Sequence, residues 1–140
     1  MLVGLLFLAG CATAPRTDVA PEGMPEFGDA SGVTGTWRGS YVCAQGLTAL
    51  ELELTGQADG RVEGVFAFSE HPDNPGVPRG SYRVHGRMSA SGILTLRTGE
   101  WIVHPQDYFP VAMVGRVELA PDRFYGFIDG AGCDTFLVER

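Results

Sequence analysis

The run Leu50-Glu51-Leu52-Glu53-Leu54 alternates apolar and charged side chains without a slip, and no other feature restricts the chain as much. A strand points successive side chains to opposite faces, so strict alternation requires one buried face and one wet face. The same period returns along the rest of residues 36–140. Trp37, Tyr41 and Cys43 alternate with Arg38 and Ser40, and Val62, Phe66 and Phe68 with Arg61 and Glu63. Tyr82, Val84 and Met88 alternate with Arg83, His85 and Arg87, and Val111, Met113 and Val117 with Arg116 and Glu118. Ile93 to Arg97, Phe124 to Asp129 and Cys133 to Glu139 complete eight strands, and no stretch reads as a helix.

Gly56-Gln57-Ala58-Asp59-Gly60, Ser89-Ala90-Ser91-Gly92 and Ala120-Pro121-Asp122 have the composition of short turns. Eight short antiparallel strands in about 105 residues predict an all-β, eight-stranded up-and-down barrel. Such a barrel is just wide enough for side chains to fill, or for one small ligand. With Trp37, Tyr41, Leu52, Phe66, Phe68, Tyr82, Met88, Met113 and Phe124 inside, the filled interior is preferred. Counting strand directions puts the short turns and both termini at one end. The long connections, Glu70 to Arg79 and Thr98 to Pro110, then share the opposite rim with Gln45-Gly46 and Gly130-Ala131-Gly132. Long loops on a rigid scaffold commonly carry function.

Upstream of the barrel, Met1 to Gly10 is an uncharged apolar run too short to span a bilayer. It has the apolar core and small-residue ending of a secretory signal, although no Lys or Arg precedes it. Leu8-Ala9-Gly10-Cys11 matches the bacterial lipobox, which makes Cys11 the expected lipid-bearing first residue of a mature chain. Ala12 rather than Asp follows, which by the sorting rule for such lipoproteins implies the outer membrane. Residues 11–35 carry Pro15, Pro21 and Pro25 with several glycines, and read as a flexible tether with a reach on the order of 27 Å. The expected organisation is thus a signal peptide at 1–10, a lipidated tether at 11–35 and a barrel at 36–140. The lipid supplies the membrane contact.

Composition narrows the partners. The formal net charge is -7, which disfavours nucleic acid and anionic lipid surfaces. With Cys11 lipidated, Cys43 and Cys133 remain as a pair in an oxidising compartment, where a disulfide is the natural reading. Closing a loop of about 90 residues is worth roughly 4 to 5 kcal/mol in the chain-entropy account. Placed in strands one and eight, the bond staples first strand to last. Cys133 facing inward would turn Phe136 and Val138 outward, so a bulge or a bond outside the barrel is needed.

Candidate chemistry concentrates on the long-loop rim. Trp101-Ile102-Val103-His104-Pro105-Gln106-Asp107-Tyr108-Phe109-Pro110 combines aromatics with an imidazole and a carboxylate. It suits either a binding edge, since aromatic anchors dominate interfaces, or a plug in which Trp101 and Tyr108 fill the barrel mouth. The plug is preferred. Gln45, His71, Asn74, Arg79, Trp101, His104 and Tyr108 are the candidate binding residues of this rim. Changing His104 and Tyr108 together is expected to cost little stability. His71, His85 and His104 lack metal-ligand spacing, so no metal or other cofactor is expected. No Gly-x-Ser-x-Gly elbow is present and Glu51 and Glu53 belong to a solvent face, so the domain reads as non-enzymatic.

The segment from Gly35 to Leu52 resembles the opening of an uncharacterised bacterial exported module, G-x-W-x-G-x-Y-x-C-x-Q-G-x-T-x-L-x-L. Asn74-Pro75-Gly76-Val77-Pro78-Arg79-Gly80-Ser81, Trp101-Ile102, Pro105, Tyr108 and Cys133 continue the resemblance, which implies a shared fold and supplies no activity. Tyr41, Cys43, Gly46 and Cys133 are also similar to the lipoprotein inhibitors of c-type lysozyme. The inhibitory Ser-Gly-x-x-Tyr segment of that family is not matched, because Ile93, Leu94 and Thr95 follow Ser91-Gly92. The Gly35-Thr36-Trp37 opening resembles that of avidin-like and lipocalin-like barrels, which implies a calycin-like fold. These readings converge on an anchored lipoprotein whose barrel is a non-enzymatic binding or envelope-associated module, with the rim as the place for any protein partner and a hydrolase inhibitor or a carrier of a small apolar ligand as the alternatives.

Overall fold

The computed structural model describes residues 26–140, so the expected signal peptide, Cys11 and the tether up to residue 25 lie outside the described residues. Eight strands form a closed antiparallel barrel in sequence order: β1 (Gly35–Cys43), β2 (Gly46–Gly56), β3 (Arg61–Glu70), β4 (Gly80–Met88), β5 (Ile93–Val103), β6 (Ala112–Glu118), β7 (Arg123–Asp129) and β8 (Thr135–Glu139). The sheet closes where Tyr41 of β1 meets Phe136 of β8. A disulfide joins Cys43 to Cys133, 90 residues apart, just beyond that seam.

Alternation decides which face is buried. Leu50, Leu52 and Leu54 point inward while Glu53 is exposed, and Glu51 reaches the Arg38 guanidinium at 2.9 Å. Trp37, Leu52, Phe66, Leu94, Leu96, Phe124 and Val138 retain no accessible surface, so side chains fill the interior. Strands approach closely where the inner side chain is absent: a Cβ on Gly86 would collide with the Thr95 carbonyl.

Cys133 lies two residues ahead of β8, outside the alternation of that strand. Asp134 N–H donates to Val42 O and Asp134 O accepts from Ile128, which carries the chain across the seam before β8 begins. Phe136 and Val138 are therefore buried while the half-exposed Cys133 sits at the rim. The bond lies outside the barrel interior, as one of the two readings required.

Two expectations of extent change. The connection after β5 is shorter than the expected Thr98 to Pro110, because β5 runs on to Val103. Register shifts opposite Tyr82 insert extra residues into β5 and bring Trp101 to face Tyr82. A period-two reading loses phase at such a bulge. The expected tether also ends too late. Ala30 and Val33 are buried, and residues 31–33 form a single 3₁₀ turn. Phe27 pairs with Ser89, Gly28 N–H bonds Met88 O, and Ala30 N–H bonds Gln57 O, so residues 26–34 seal the short-turn end of the barrel. No helix of the described residues is long and apolar enough to cross a membrane.

Candidate binding cleft at the long-loop rim

An aromatic column rises from the core to the rim. Phe66 stacks on Tyr82 at 4.8 Å between centroids and meets Tyr41 edge-on at 5.3 Å. Tyr82 then meets Trp101 edge-on at 5.1 Å, and Trp101 stacks on His104 at 4.2 Å with the planes 8° apart. Beside this column Phe68 stacks on Tyr108 at 5.5 Å. His104 Nε2 lies 2.9 Å from Tyr108 O, which can only accept, so Nε2 carries the proton in this contact. Trp101 and Tyr108 therefore plug the mouth, as preferred.

The barrel wall is incomplete beneath that plug. β5 and β6 pair only from Ile93↔Arg116 to Leu96↔Met113, although β5 continues to Val103. Buried Tyr82 spans the gap from inside. Its hydroxyl donates to Val111 O at 2.7 Å and accepts from Val111 N–H at 3.1 Å, giving that residue the partners a neighbouring strand would otherwise supply. Burial raises the pKa values of Tyr82 and Tyr41 far above the ordinary 10.0, because a buried phenolate loses its hydration.

A cleft of about 520 Å³ opens between the plug and the disulfide. Phe68, Tyr108, Phe109 and Val111 line it together with Ala44, Ala131 and Cys133. Tyr41, only 3% exposed, contributes to its lining, and Gln45 Nε2 donates to the Tyr41 hydroxyl at 3.2 Å and to Thr48 Oγ1 at 3.1 Å. Gln45 Oε1 has no donor among the described residues. Asp107 lines the lip in a left-handed backbone conformation, φ 65°. Phe109, at 83% exposure, is the most exposed large apolar side chain among the described residues.

Of the expected rim residues, Gln45 and Tyr108 line this cleft. Asn74 clamps the β1–β2 turn: its Nδ2 donates to Gln45 O and Leu47 O, both at 2.9 Å. Gly46 permits that approach, since its φ is 91° and a Cβ there would stand 2.8 Å from Asn74 Nδ2. His71 shapes its own loop, accepting from Asp73 N–H at Nδ1. Arg79 stands apart on the outer wall, in a shallow recess with Glu51, Gly80 and Val103. Trp101 belongs to the plug, and His104 braces it by stacking on Trp101 and reaching Tyr108 O. Among the described residues, no three His, Cys, Asp or Glu side chains gather closely enough to hold a metal.

The low stability cost expected for changing Tyr108 with His104 needs correcting. Tyr108 is half-buried against the core, stacked on Phe68, and is not a free loop tip. Tyr41 and Phe109 are not among the residues that the sequence offers as candidates for binding, and Asp107 is noted there only as the carboxylate of the loop. The alternation of β1 places Tyr41 in the interior, and nothing in the sequence marks it for a site. The signal for Phe109 was available: it is the one aromatic of the loop whose neighbour Tyr108 already fills the mouth.

Comparison with protein-family models, curated proteins and solved structures returned no match for the chain.

Proposed function

We propose that the protein is a non-enzymatic binding module of an outer-membrane lipoprotein, anchored through Cys11 and engaging a protein partner at its long-loop rim. The observation that carries this reading is the polarity of the barrel. The chain enters at the short-turn end, where Phe27 and Ala30 are fastened, while the cleft and Phe109 lie at the opposite rim. A lipid upstream of residue 26 would leave that rim facing away from the bilayer. Exposed aromatic side chains beside a concave surface are the usual anchors of an interface. The cleft offers hydrogen-bonding groups and one carboxylate with no nucleophile–base pair, so its chemistry suits recognition. The filled interior gives a carried apolar ligand no room within the barrel.

The test uses the full-length protein in its own cell envelope. Mass spectrometry of the mature chain should find acylated Cys11. A photo-crosslinking residue at position 109 should give a discrete protein adduct, and the same residue at Glu53 on the barrel wall should give none. An unmodified chain starting elsewhere would remove the anchor, and adducts at Glu53 alone would remove the rim.

A further inference from the structure

From the charge and the walls of the mouth cleft we infer that it takes an organic ammonium group, either a free amine or the end of a lysine side chain. The inference rests on the rim being the binding face and specifies the chemistry that face selects. Five aromatic residues contribute to the lining: half-buried Tyr108 and exposed Phe109 supply its accessible aromatic surface, and buried Tyr41, Phe68 and Tyr82 add little to it. Ring faces attract a cation through their quadrupole, more strongly when water is excluded. No Lys, Arg or His lines the cleft, and its one charged group is the Asp107 carboxylate. Among the described residues Asp107 has no ion-pair partner, and neither have Asp129 and Asp134, which flank Gly130 to Cys133 in sequence. Gln45 Oε1 adds an acceptor, because Nε2 is held by Tyr41 and Thr48.

An anionic ligand would find no countercharge here, and it would meet a carboxylate and the negative field of a chain of net charge -7. A neutral apolar ligand would fit the walls and make no use of Asp107. A cation with a short apolar stem uses both. The cleft, at about 520 Å³, is within the range of small-ligand sites.

The probes are choline, n-butylammonium (the lysine stem cut at its α-carbon), the neutral isostere 3,3-dimethylbutanol, and butyrate. Each is titrated into the isotopically labelled protein and followed by the amide shifts of residues 41–46, 107–111 and 130–133. One or both cations should bind there, with butyrate silent and the isostere at least tenfold weaker. Choline as the tighter cation points to a free methylated amine, and butylammonium as the tighter one to a lysine of the partner. Asp107→Asn keeps a residue that tolerates the left-handed backbone and removes the charge. It should weaken cation binding about tenfold while leaving the isostere unchanged. Equal binding of cation and isostere overturns the inference, as does failure of both cations to shift these amides. Crosslinking at position 109 would still stand in either case, so the two proposals fail separately.

Discussion

At the short-turn end, Arg140 donates to Gly32 O and Thr34 O, pairs with Asp122 at 3.0 Å, and lies over the Trp37 ring at 4.4 Å. Trp37 in turn donates its indole N–H to Val33 O at 2.8 Å. At the rim, 3% exposed Tyr41 is approached by Gln45, and Asp107 and Phe109 face solvent around a cleft. Some carboxylates follow the same division, although on the rim Glu70 accepts from Gly76 N–H at 2.9 Å and Asp73 lies 3.8 Å from His71 Nδ1. Asp59 and Asp122 are held below the ordinary carboxylate range by backbone N–H donors and then by their arginines, whereas Asp107, Asp129 and Asp134 have no ion pair among the described residues. One set of strands thus ends in a lock and in a mouth. The difference teaches where each end invests its polar groups: at the lock they answer one another and hold the fold together, and at the mouth several are left to solvent.

Five measurements would break or sharpen that contrast. The largest effect belongs to the lock. Trp37→Ala should cost about 3 to 5 kcal/mol by denaturant unfolding, the range for emptying a buried aromatic site. A loss under 1 kcal/mol would mean that the closed end is not the anchor of the fold. Next comes the staple at the rim. Replacing Cys43 and Cys133 together by Ala should cost about 2 to 5 kcal/mol. Native stability in the doubly substituted protein would show that strand pairing alone closes the seam.

Tyr82→Phe is smaller, at about 1 to 3 kcal/mol, because it leaves Val111 N–H and C=O unanswered where β5 and β6 part. The same hydroxyl gives a pH signature. Tyr41 and Tyr82 have folded pKa values raised above 10.0, so the stability they confer as neutral groups is complete below pH 10 and is lost as pH rises above it. Tyrosinate absorbance should show both remaining neutral past pH 10 until the protein unfolds, and early ionisation of either would contradict its burial. The smallest effect is Phe109→Ala, expected within about 0.5 kcal/mol of the parent protein. A cost comparable to that at Trp37 would mean that Phe109 packs, and the mouth would lose its open lip.

Period-two alternation was enough to determine the strand number, the inward face of β2, β3 and β4, and the end at which each loop lies. It sufficed because an antiparallel strand with one wet face writes its orientation into every second residue. Cys43 and Cys133 could be paired once Cys11 was set aside as the expected lipid-bearing residue of an exported chain, and the barrel brings the first strand beside the last. Other features were not local. That Ala30 and Val33 seal the barrel depends on contacts with residues 57 and 88–90, far away in sequence. Trp101 faces Tyr82 because a bulge shifts the phase of β5, and Tyr82 answers Val111 because β6 stops short of β5. Asn74, a candidate ligand residue by its loop, is a clamp because the β1–β2 turn lies within its reach. Alternation fixes which face a side chain takes, whereas a cleft is made where strands end and separate loops converge, and only the folded chain sets those distances.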